Sequence, residues 1–362
     1  MPDENTPLVT EAVVTVGDAA ALIVALGDFW RSHDVDITSE PGRLTARLGL
    51  GEGELEVVEG GLTARLEGTD LGALELLRGY LTESLERFAG ERGARIAWSG
   101  HMREAKTFAD FREVRLVSAR DVAPRIRRLT FTGEDIARFG SEKDIHVRMY
   151  FPPEGLAQPE WPRPGPDGRT VWPAEERRPE VRYYTVRRYD AGRGEIEIDF
   201  VMHADEGPGS AFAARAAPGS ICGMAGPVGR SAPDAGWTLF AGDETALPAI
   251  ARLLETMPRD AQGAAFIEVD CAGDEIALDA PAGVHVRWLH RRGAPAGATD
   301  LLISALRGVA WPGHDDVFAW VACEYGASKL IRKHLRTACG LPREKHLVVG
   351  YWERQTAEAE AA

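Results

Sequence analysis

The sequence predicts a multidomain chain: an α+β domain at the N-terminus, then an antiparallel β-barrel, then an α/β domain with a parallel sheet. Evenly spaced strand-like runs fill the middle of the chain, as in a small closed barrel. Apolar runs then alternate with helical stretches to the end, as in a parallel sheet. Because 362 residues exceed what one core usually supports, we expect domains at 1–103, 104–233 and 234–362.

The N-terminal domain is marked by two helical patterns around short alternating runs. Apolar residues at helical spacing predict helices over Gly17–Arg31 and Asp70–Ala89, with Asp70 as the N-cap of the second. Glycine-rich turns separate the runs of a small antiparallel meander, which are Leu44–Leu48, Glu54–Val58 and Leu62–Leu66, and Ile96–Trp98 closes the unit. The sequence of this region offers no catalytic constellation, so we expect a packing or regulatory role.

Strand-like runs in the sequence predict the two later domains. The barrel strands are predicted at Glu113–Ser118, Ile126–Thr132, His146–Phe151, Arg182–Arg188 and Glu195–His203. The proline- and glycine-rich stretch Pro152–Pro179 is expected to be a long surface loop. The parallel strands are predicted at Thr238–Ala241, Ala265–Val269, Val284–Leu289, Val317–Ala322 and His346–Val349, with helices at Leu247–Glu255, Asp300–Leu306 and Gly326–Thr337.

Composition excludes several classes of function. A formal net charge of −14 argues against nucleic acid as a main partner, because phosphate binding needs a basic footprint. No apolar run approaches the roughly 20 residues of a membrane span, and the acidic N-terminus lacks signal-peptide features, so we expect a cytoplasmic protein without membrane insertion. The four cysteines form no Cys-x-x-Cys pair, so neither a zinc nor an iron–sulfur site is predicted.

The run Arg182-Tyr183-Tyr184-Thr185 lies on a predicted strand and offers three complementary side chains. Arginine can neutralise a pyrophosphate with two hydrogen bonds. Tyrosine can stack on the isoalloxazine of a flavin or brace its ribityl arm, and threonine offers a hydroxyl to the N5 edge. Alone, the tetrapeptide favours an exposed strand with ordinary aromatic packing over a flavin site.

Two downstream runs support a flavin site. Asp199–His203 ends a strand, and Gly207–Ala211 is a tight loop entering a helix, whose free N–H groups form a natural anion site. A pyrophosphate opposite Arg182 would complete this cradle. The candidate FAD contacts are Arg182, Tyr183, Tyr184, Thr185, Asp199, Val201, His203, Gly207, Pro208, Gly209 and Ser210, with Tyr184 and Thr185 as candidate catalytic residues at the ring.

From Lys106 to Arg354 the sequence resembles the siderophore-interacting proteins, a family of ferric-siderophore reductases related to ferredoxin-NADP reductases. The resemblance is carried by an ordered set of short motifs: His146-Val147-Arg148, Arg182–Thr185, Asp199–His203 with Gly207-Pro208, Ala241–Ala246 with Pro248, Trp288–Arg291, and Gly350-Tyr351-Trp352. The first hundred residues resemble, more weakly, a small bacterial domain of unknown function that is sometimes fused to flavin reductases.

The resemblance implies that the loop Gly242–Pro248 faces NADPH or NADH, with Gly242, Thr245 and Trp352 as cofactor contacts. Asp243 and Glu244 in that loop would repel a phosphate, so their side chains must point away or the loop must meet the nicotinamide half. Lys329 and Arg332 are the candidates for a 2′-phosphate grip, which favours NADPH; a solvated basic face is the alternative. Asp270, at the end of a strand, favours NADH instead.

The resemblance also implies the reaction: electrons pass from NAD(P)H through FAD to the Fe(III) of a siderophore, which releases the iron as Fe(II). Arg148, where relatives often carry lysine, and Arg291 are the candidate contacts to an anionic ferric siderophore; ordinary surface arginines are the alternative. Cys323, beside Glu324, has a conceivable redox role, although packing is favoured. Two other functions stay open: a flavoenzyme reducing a ferredoxin, a free flavin or a quinone, and a protein that carries a ferric chelate without reducing it.

Overall fold

The computed structural model describes residues 8–33, 35–89, 93–102, 106–156, 158–202, 207–229, 231–313 and 315–354. These residues form two compact units. The first joins residues 8–111 with Pro152–Pro179, and the second joins Arg112–Phe151 with the chain from Glu180 onward. Among the described residues, no helix has the length and apolar character needed to cross a membrane.

The first unit contains a six-stranded antiparallel sheet covered by two helices, as the α+β prediction requires. The sheet order is β2-β3-β4-β5-β1-β6. Its strands are β1 (Leu8–Thr15), β2 (Asp36–Glu40), β3 (Arg43–Leu48), β4 (Gly51–Val58), β5 (Gly61–Gly68) and β6 (Arg95–Gly100), and its helices are α1 (Ala19–Ser32) and α2 (Leu71–Phe88). Asp70 caps α2, as predicted, by accepting a hydrogen bond from the Ala73 N–H at 2.9 Å.

The second unit begins with a closed barrel of order β12-β13-β8-β7-β14-β9. Its strands are β7 (Phe111–Ala123), β8 (Ile126–Gly133), β9 (His146–Phe151), β12 (Glu180–Asp190), β13 (Glu195–Val201) and β14 (Ile221–Val228), and helix α3 (Pro208–Arg215) follows β13. The sequence does not predict β14, because Gly226-Pro227 suggests a turn. In the structure that dipeptide is a register irregularity within the strand, which pairs with β9 and completes the barrel.

The segment Pro152–Pro179, predicted as a surface loop, belongs to the first unit. It carries a two-residue hairpin formed by β10 (Arg163–Pro164) and β11 (Thr170–Val171). Its backbone carbonyls are bound by side chains of the first unit: Arg78 donates to Pro166 O at 2.9 Å and the Trp98 indole donates to Asp167 O at 3.1 Å. The segment is therefore anchored at its hairpin turn, which sequence composition could not reveal.

The rest of the second unit is a five-stranded parallel sheet of order β17-β16-β15-β18-β19, as predicted. The strands are β15 (Trp237–Gly242), β16 (Gln262–Val269), β17 (Gly283–His290), β18 (Val317–Glu324) and β19 (His346–Trp352), and the helices are α4 (Leu247–Thr256), α5 (Leu301–Arg307) and α6 (Tyr325–Thr337). Apolar side chains cover both faces of this sheet, in two separate core clusters. The C-terminal ends of its strands form one edge, where open α/β sheets bind ligands.

Two arginines fasten the barrel to this sheet. Arg187, on β12, makes a bidentate ion pair with Glu255 of α4 at 2.5 and 2.7 Å. Arg252, one turn earlier on α4, is buried and donates to Val186 O at 2.5 Å and to Ser141 O. Because β12 is thereby hydrogen-bonded to α4 at two consecutive residues, Val186 as acceptor and Arg187 as donor, the strand is held in a fixed position against the sheet. We call Arg187, Arg252 and Glu255 the β12–α4 clamp.

Arg252→Met should destabilise the second unit, because it leaves two buried carbonyls without their donor. We expect the free energy of unfolding to fall by about 2–4 kcal/mol, seen as a lower calorimetric Tm. Arg259→Met is the matched control: Arg259 forms an equally regular pair with Asp279, but on the surface, so its loss should change Tm little. Equal shifts in both variants would contradict the clamp.

A second link joins β9 to β19. The hydroxyl of Tyr351 and Nε2 of His146 are 2.6 Å apart, and the two rings meet edge to face. Burial, together with the positive charge of Arg252, lowers the pKa of His146 to about 4. The imidazole is therefore neutral at physiological pH, and its Nε2 shares one hydrogen bond with the Tyr351 hydroxyl.

The depressed pKa of His146 predicts a loss of stability in acid. The unfolded chain takes up this proton near pH 6.5 and the folded chain only near pH 4, so the contribution is complete above pH 6.5 and is lost as pH falls towards 4. It amounts to at most about 3 kcal/mol. His146→Gln should therefore show a smaller drop in Tm between pH 7.5 and pH 4.5 than the parent protein. Parallel Tm curves for the two proteins would rule out this role.

Candidate functional site

The run Arg182-Tyr183-Tyr184-Thr185 lies on β12 opposite β9, as the sequence predicts. Tyr184 turns towards the barrel core, where its ring lies 4.3 Å from Phe200 and 5.9 Å from Phe151, measured between centroids. Burial raises the pKa of the Tyr184 hydroxyl, which is therefore protonated. Thr185 is buried, whereas Tyr183 is 68% exposed. The adjacent tyrosines thus differ: Tyr184 is fixed by packing and Tyr183 is open to solvent.

The first turn of α3 lies directly against Tyr184. A Cβ atom built at Gly209 would overlap the Tyr184 hydroxyl, so this position requires glycine. Gly207 is the N-cap and Pro208 the first helical residue, which leaves the N–H groups of Gly209 and Ser210 as the open donors of the turn. Among the described residues, neither N–H has an acceptor. These donors form an anion site beside β12.

Arg182 is on the same side of β12 as Tyr184, by strand alternation. Its exposed guanidinium donates to Val181 O at 2.8 Å and to the Glu180 carboxylate at 3.3 Å. An exposed ion pair of this kind contributes little stability, so the arginine can exchange it for a phosphate. We propose that Arg182 and the first turn of α3 form the two sides of one anion cradle.

The other residues predicted for this cradle have different positions. Asp199 is buried and bound by the Arg128 guanidinium, with Nε to Oδ1 at 2.5 Å and Nη2 to Oδ2 at 2.8 Å. Both carboxylate oxygens are thus engaged inside the barrel wall. Val201 is half-buried at the end of β13, and His203 lies outside the described residues.

The loop after β15 is organised by the buried carboxylate of Asp243. Its Oδ1 accepts hydrogen bonds from the N–H and the hydroxyl of Thr245, and its Oδ2 accepts them from the Glu324 N–H and the Trp352 indole. Burial and the nearby Glu244 raise the pKa of this carboxyl. A Cβ at Gly242 would approach Ala322 O to 2.5 Å, so the loop can pass the end of β18 only with glycine. Gly242, Thr245 and Trp352, all predicted cofactor contacts, are thus brought together around Asp243.

Glu244 points away from the loop surface as well. Its carboxylate makes a bidentate pair with Arg291, 2.7 Å in both bonds, and Glu268 lies 3.5 Å from the same guanidinium. The acidic residues of the loop are therefore turned inward, which is one of the two alternatives that the sequence leaves open. Arg291, predicted to contact substrate, is only 5% exposed and neutralised, so the structure gives it no open face.

The remaining candidates lie on α6 and β9. Lys329 is exposed, with its ammonium 4.0 Å from the centroid of the Tyr325 ring. Arg332 is directed to the sheet instead and donates to Val348 O at 2.6 Å. Of the two residues predicted to grip a 2′-phosphate, Lys329 is thus the more available. Arg148 is half-buried on β9, paired across the sheet with Tyr183.

Comparison with known proteins identifies the family. Residues 115–231 match the model of the siderophore-interacting FAD-binding domain, and residues 235–355 match that of the siderophore-interacting protein. Ferric vibriobactin reductase ViuB of Vibrio cholerae is 35% identical over 240 residues, which are 64% of this chain and 86% of that protein. The chain belongs to the siderophore-interacting protein family. Residues 11–99 match an uncharacterized protein conserved in bacteria, which confirms the predicted fusion.

Two further relatives agree with this assignment. The NADPH-dependent ferric-chelate reductase of Escherichia coli is 33% identical over 224 residues, 59% of this chain and 82% of that protein. The crystal structure of a siderophore utilization protein from T. fusca is 40% identical, with a TM-score of 0.62 over 68% of this chain and 94% of that one. The similarity therefore extends over the barrel and the parallel sheet together.

The residues of this siderophore-interacting protein fit the FAD that the family domain binds. A dinucleotide needs a pyrophosphate site, and this region offers the two backbone N–H donors of the first turn of α3 and the exposed guanidinium of Arg182. Glycine at position 209 brings the first turn of α3 close to Tyr184. Arg182, Gly209 and Ser210 would hold the pyrophosphate, and Tyr184 would lie beside it.

Sequence reasoning overlooked the clamp and the His146–Tyr351 pair, since neither pairing follows from spacing in the chain. His146 and Tyr351 do lie in two of the family motifs, which was the available signal. Cys323 is fully buried, and burial raises the pKa of its thiol, so it is not the thiolate that redox chemistry requires.

Gly209→Ala should weaken FAD binding. The added methyl displaces Tyr184 or the first turn of α3, and overpacking of this kind costs on the order of 1–3 kcal/mol, so we expect the Kd for FAD to rise about tenfold. Flavin absorbance per protein after dialysis, followed by FAD titration, measures this. Removing the hydroxyl in Gly209→Ala/Tyr184→Phe should restore only part of the affinity, because the ring Cζ still lies 2.8 Å from the added methyl.

Gly308→Ala is the matched control for this experiment. A Cβ there meets its nearest neighbour, Ala305 O, at an ordinary 3.5 Å, at the end of α5. FAD affinity should not change. If Gly209→Ala bound FAD as tightly as this control, the assignment of the cradle would be wrong.

Proposed function

We propose that this chain is an NAD(P)H-dependent, FAD-containing reductase of ferric siderophores that releases the iron as Fe(II). The observation that carries the proposal is the anion cradle at Gly209 and Arg182, built on a barrel strand that is clamped to a parallel sheet. The names of two similar proteins support the substrate: one is a ferric vibriobactin reductase and the other a ferric-chelate reductase.

The chemistry divides between cofactor and protein. FAD, when bound, accepts a hydride from a reduced nicotinamide and passes single electrons to Fe(III). The chain contributes placement. Arg182 and the first turn of α3 would hold the pyrophosphate, and Tyr184, fixed by Phe200, would support the arm leading to the ring. The buried Thr185 hydroxyl lies next along the strand. No side chain has to act as general acid or nucleophile.

We propose NADPH as the electron donor. In the loop after β15, the carboxylates of Asp243 and Glu244 are bound to groups inside the protein, so the backbone of the loop is what a cofactor would meet. This arrangement lowers the electrostatic repulsion of a phosphate. Lys329 is an exposed cation on α6. Asp270, which would favour NADH by binding a ribose hydroxyl, instead binds Arg125 at 2.7 Å and the Gly293 N–H at 2.8 Å. The name of the Escherichia coli relative supports the same donor.

The proposed substrate is a ferric siderophore, with Arg148 as a contact near the strand of the flavin site. Arg291 contributes only if its pair with Glu244 opens, so we give it second place. Fe(II) is bound far less tightly than Fe(III) by hard oxygen ligands, so reduction would free the metal. We place the protein in the cytoplasm, a reducing compartment that suits its four free cysteines.

Anaerobic mixing tests this function directly. NADPH should bleach the flavin band of the purified protein, and a ferric siderophore should restore it while a ferrous chelator traps iron. Lys329→Ala should raise KM for NADPH about fivefold and leave that for NADH unchanged, because it removes a contact to the 2′-phosphate. Lys333→Ala, one turn further along α6, is the matched control.

Each failure has a defined meaning. If no ferric chelate reoxidises the flavin, ferric reduction is wrong; reoxidation by a ferredoxin, a free flavin or a quinone then indicates a different flavoenzyme. A colourless protein that cannot be reconstituted with FAD would favour a chelate carrier. Equal KM values for NADPH in Lys329→Ala and Lys333→Ala would remove Lys329 from the donor site.

A further inference from the structure

The N-terminal unit contains a cavity of about 380 Å³ between its two helices and its sheet. The ends of α1 and α2 form the walls, and strands β3, β4 and β5 form the floor. The cavity is more than twice the size of the roughly 150 Å³ apolar cavity in which an engineered protein binds benzene. It also falls within the range of about 300–1,000 Å³ typical of small-molecule sites. The cavity opens to solvent at a rim that includes the exposed side chains of Tyr80 and Leu48.

The cavity has a specific origin in the sheet. One row of residues across the strands fills the core with Leu44 opposite Leu55. The next row pairs Ala46 with Gly53 and Gly53 with Leu66, so two consecutive strands present almost no side chain. Ala46, Gly53 and Leu66 line the hollow, and the Leu66 side chain extends over Gly53, where an added Cβ would lie 2.9 Å from its Cδ2.

The walls are apolar and aromatic. Leu55, Leu77 and Leu81 are buried, and the rings of Phe29, Trp30 and Tyr80 complete the lining. Rigid aromatic walls of this kind suit an acyl or aryl body, because they offer a large contact area at little entropic cost.

Two hydrogen-bond donors on one face of α2, Ser84 and Arg87, could bind the polar end of a ligand. Ser84 is only 8% exposed and lines the cavity; its hydroxyl accepts a hydrogen bond from the Trp30 indole at 3.2 Å. Its own proton has no acceptor among the described residues. Arg87, one turn later, lines the rim with its guanidinium 4.8 Å from the centroid of the Phe29 ring, and no carboxylate of the described residues lies within 4.0 Å of it.

Glu83 lines the same rim and limits the charge of the ligand. One carboxylate on the ligand can meet Arg87 and Ser84, whereas a polyanion such as a nucleotide would be repelled by Glu83. We propose that this cavity binds an apolar monocarboxylate, with its acyl or aryl body over Ala46 and Gly53 and its carboxylate at Ser84 and Arg87. This proposal is independent of the reductase function.

Calorimetric titration of the full chain with decanoate and 4-phenylbutyrate tests the proposal. At least one acid should bind saturably at one site per chain, about tenfold more tightly than the corresponding alcohol, 1-decanol or 4-phenylbutanol. Arg87→Gln should abolish this preference for the acid and leave the affinity for the alcohol unchanged. The exposed Arg31→Gln, on α1 and outside the cavity, is the matched control and should keep the preference.

A second variant identifies the place of binding. Ala46→Leu fills the hollow, so it should weaken acid and alcohol alike by tenfold or more, and a Tm equal to or above that of the parent would show that it folds. Ligand binding that Ala46→Leu leaves unchanged in a folded protein lies elsewhere and overturns the proposal. So does the absence of saturable binding by all four compounds, or an acid preference that persists in Arg87→Gln.

Discussion

The clamp between β12 and α4 is the constraint on which the second unit depends. β12 carries Arg182 to Thr185 in its first half and Arg187 in its second, so one strand holds both the proposed flavin contacts and the attachment to the sheet. Arg252 adds hydrogen bonds to two backbone carbonyls, that of Val186 on β12 and that of Ser141 in the segment before β9. Electron transfer requires a fixed separation of donor and acceptor, and a strand bonded to a helix at two successive residues provides it.

The cost of this arrangement is the burial of charge. Isolated buried charges are strongly unfavourable, but Arg187 meets Glu255 with two short bonds and Arg128 meets Asp199 in the same way. The pKa of Glu255 is accordingly lowered by its bonds to Arg187, in spite of the opposing effect of burial. Bidentate pairing therefore offsets the desolvation of these buried charges and fixes the relative position of the two side chains. A lysine at these positions could not make the same two parallel hydrogen bonds.

Much of this architecture could be predicted from sequence, because strand alternation and helical periodicity are local signals. The helix ends near Asp70, the barrel strands and the parallel sheet all follow from them. Strand β14 escaped prediction because Gly226-Pro227 interrupts it, and the anchoring of Pro152–Pro179 escaped because Arg78 and Trp98 bind backbone carbonyls far along the chain. The flavin residues could be named, but their surroundings could not. Only the structure shows that Gly209 is required by the hydroxyl of Tyr184.

The different surroundings of Arg182 and Arg291 show why a motif alone does not predict which cation is available to bind an anionic substrate. In sequence, Arg182 and Arg291 are equivalent cations in family motifs. In the structure Arg291 is surrounded by Glu244 and Glu268, whereas Arg182 faces solvent with one exposed acidic neighbour. With a net charge of −14, the chain as a whole repels anions at long range. An anionic chelate would therefore gain its binding energy within a few ångströms of the flavin site, from cations such as Arg148 on β9, and not from steering by the whole protein.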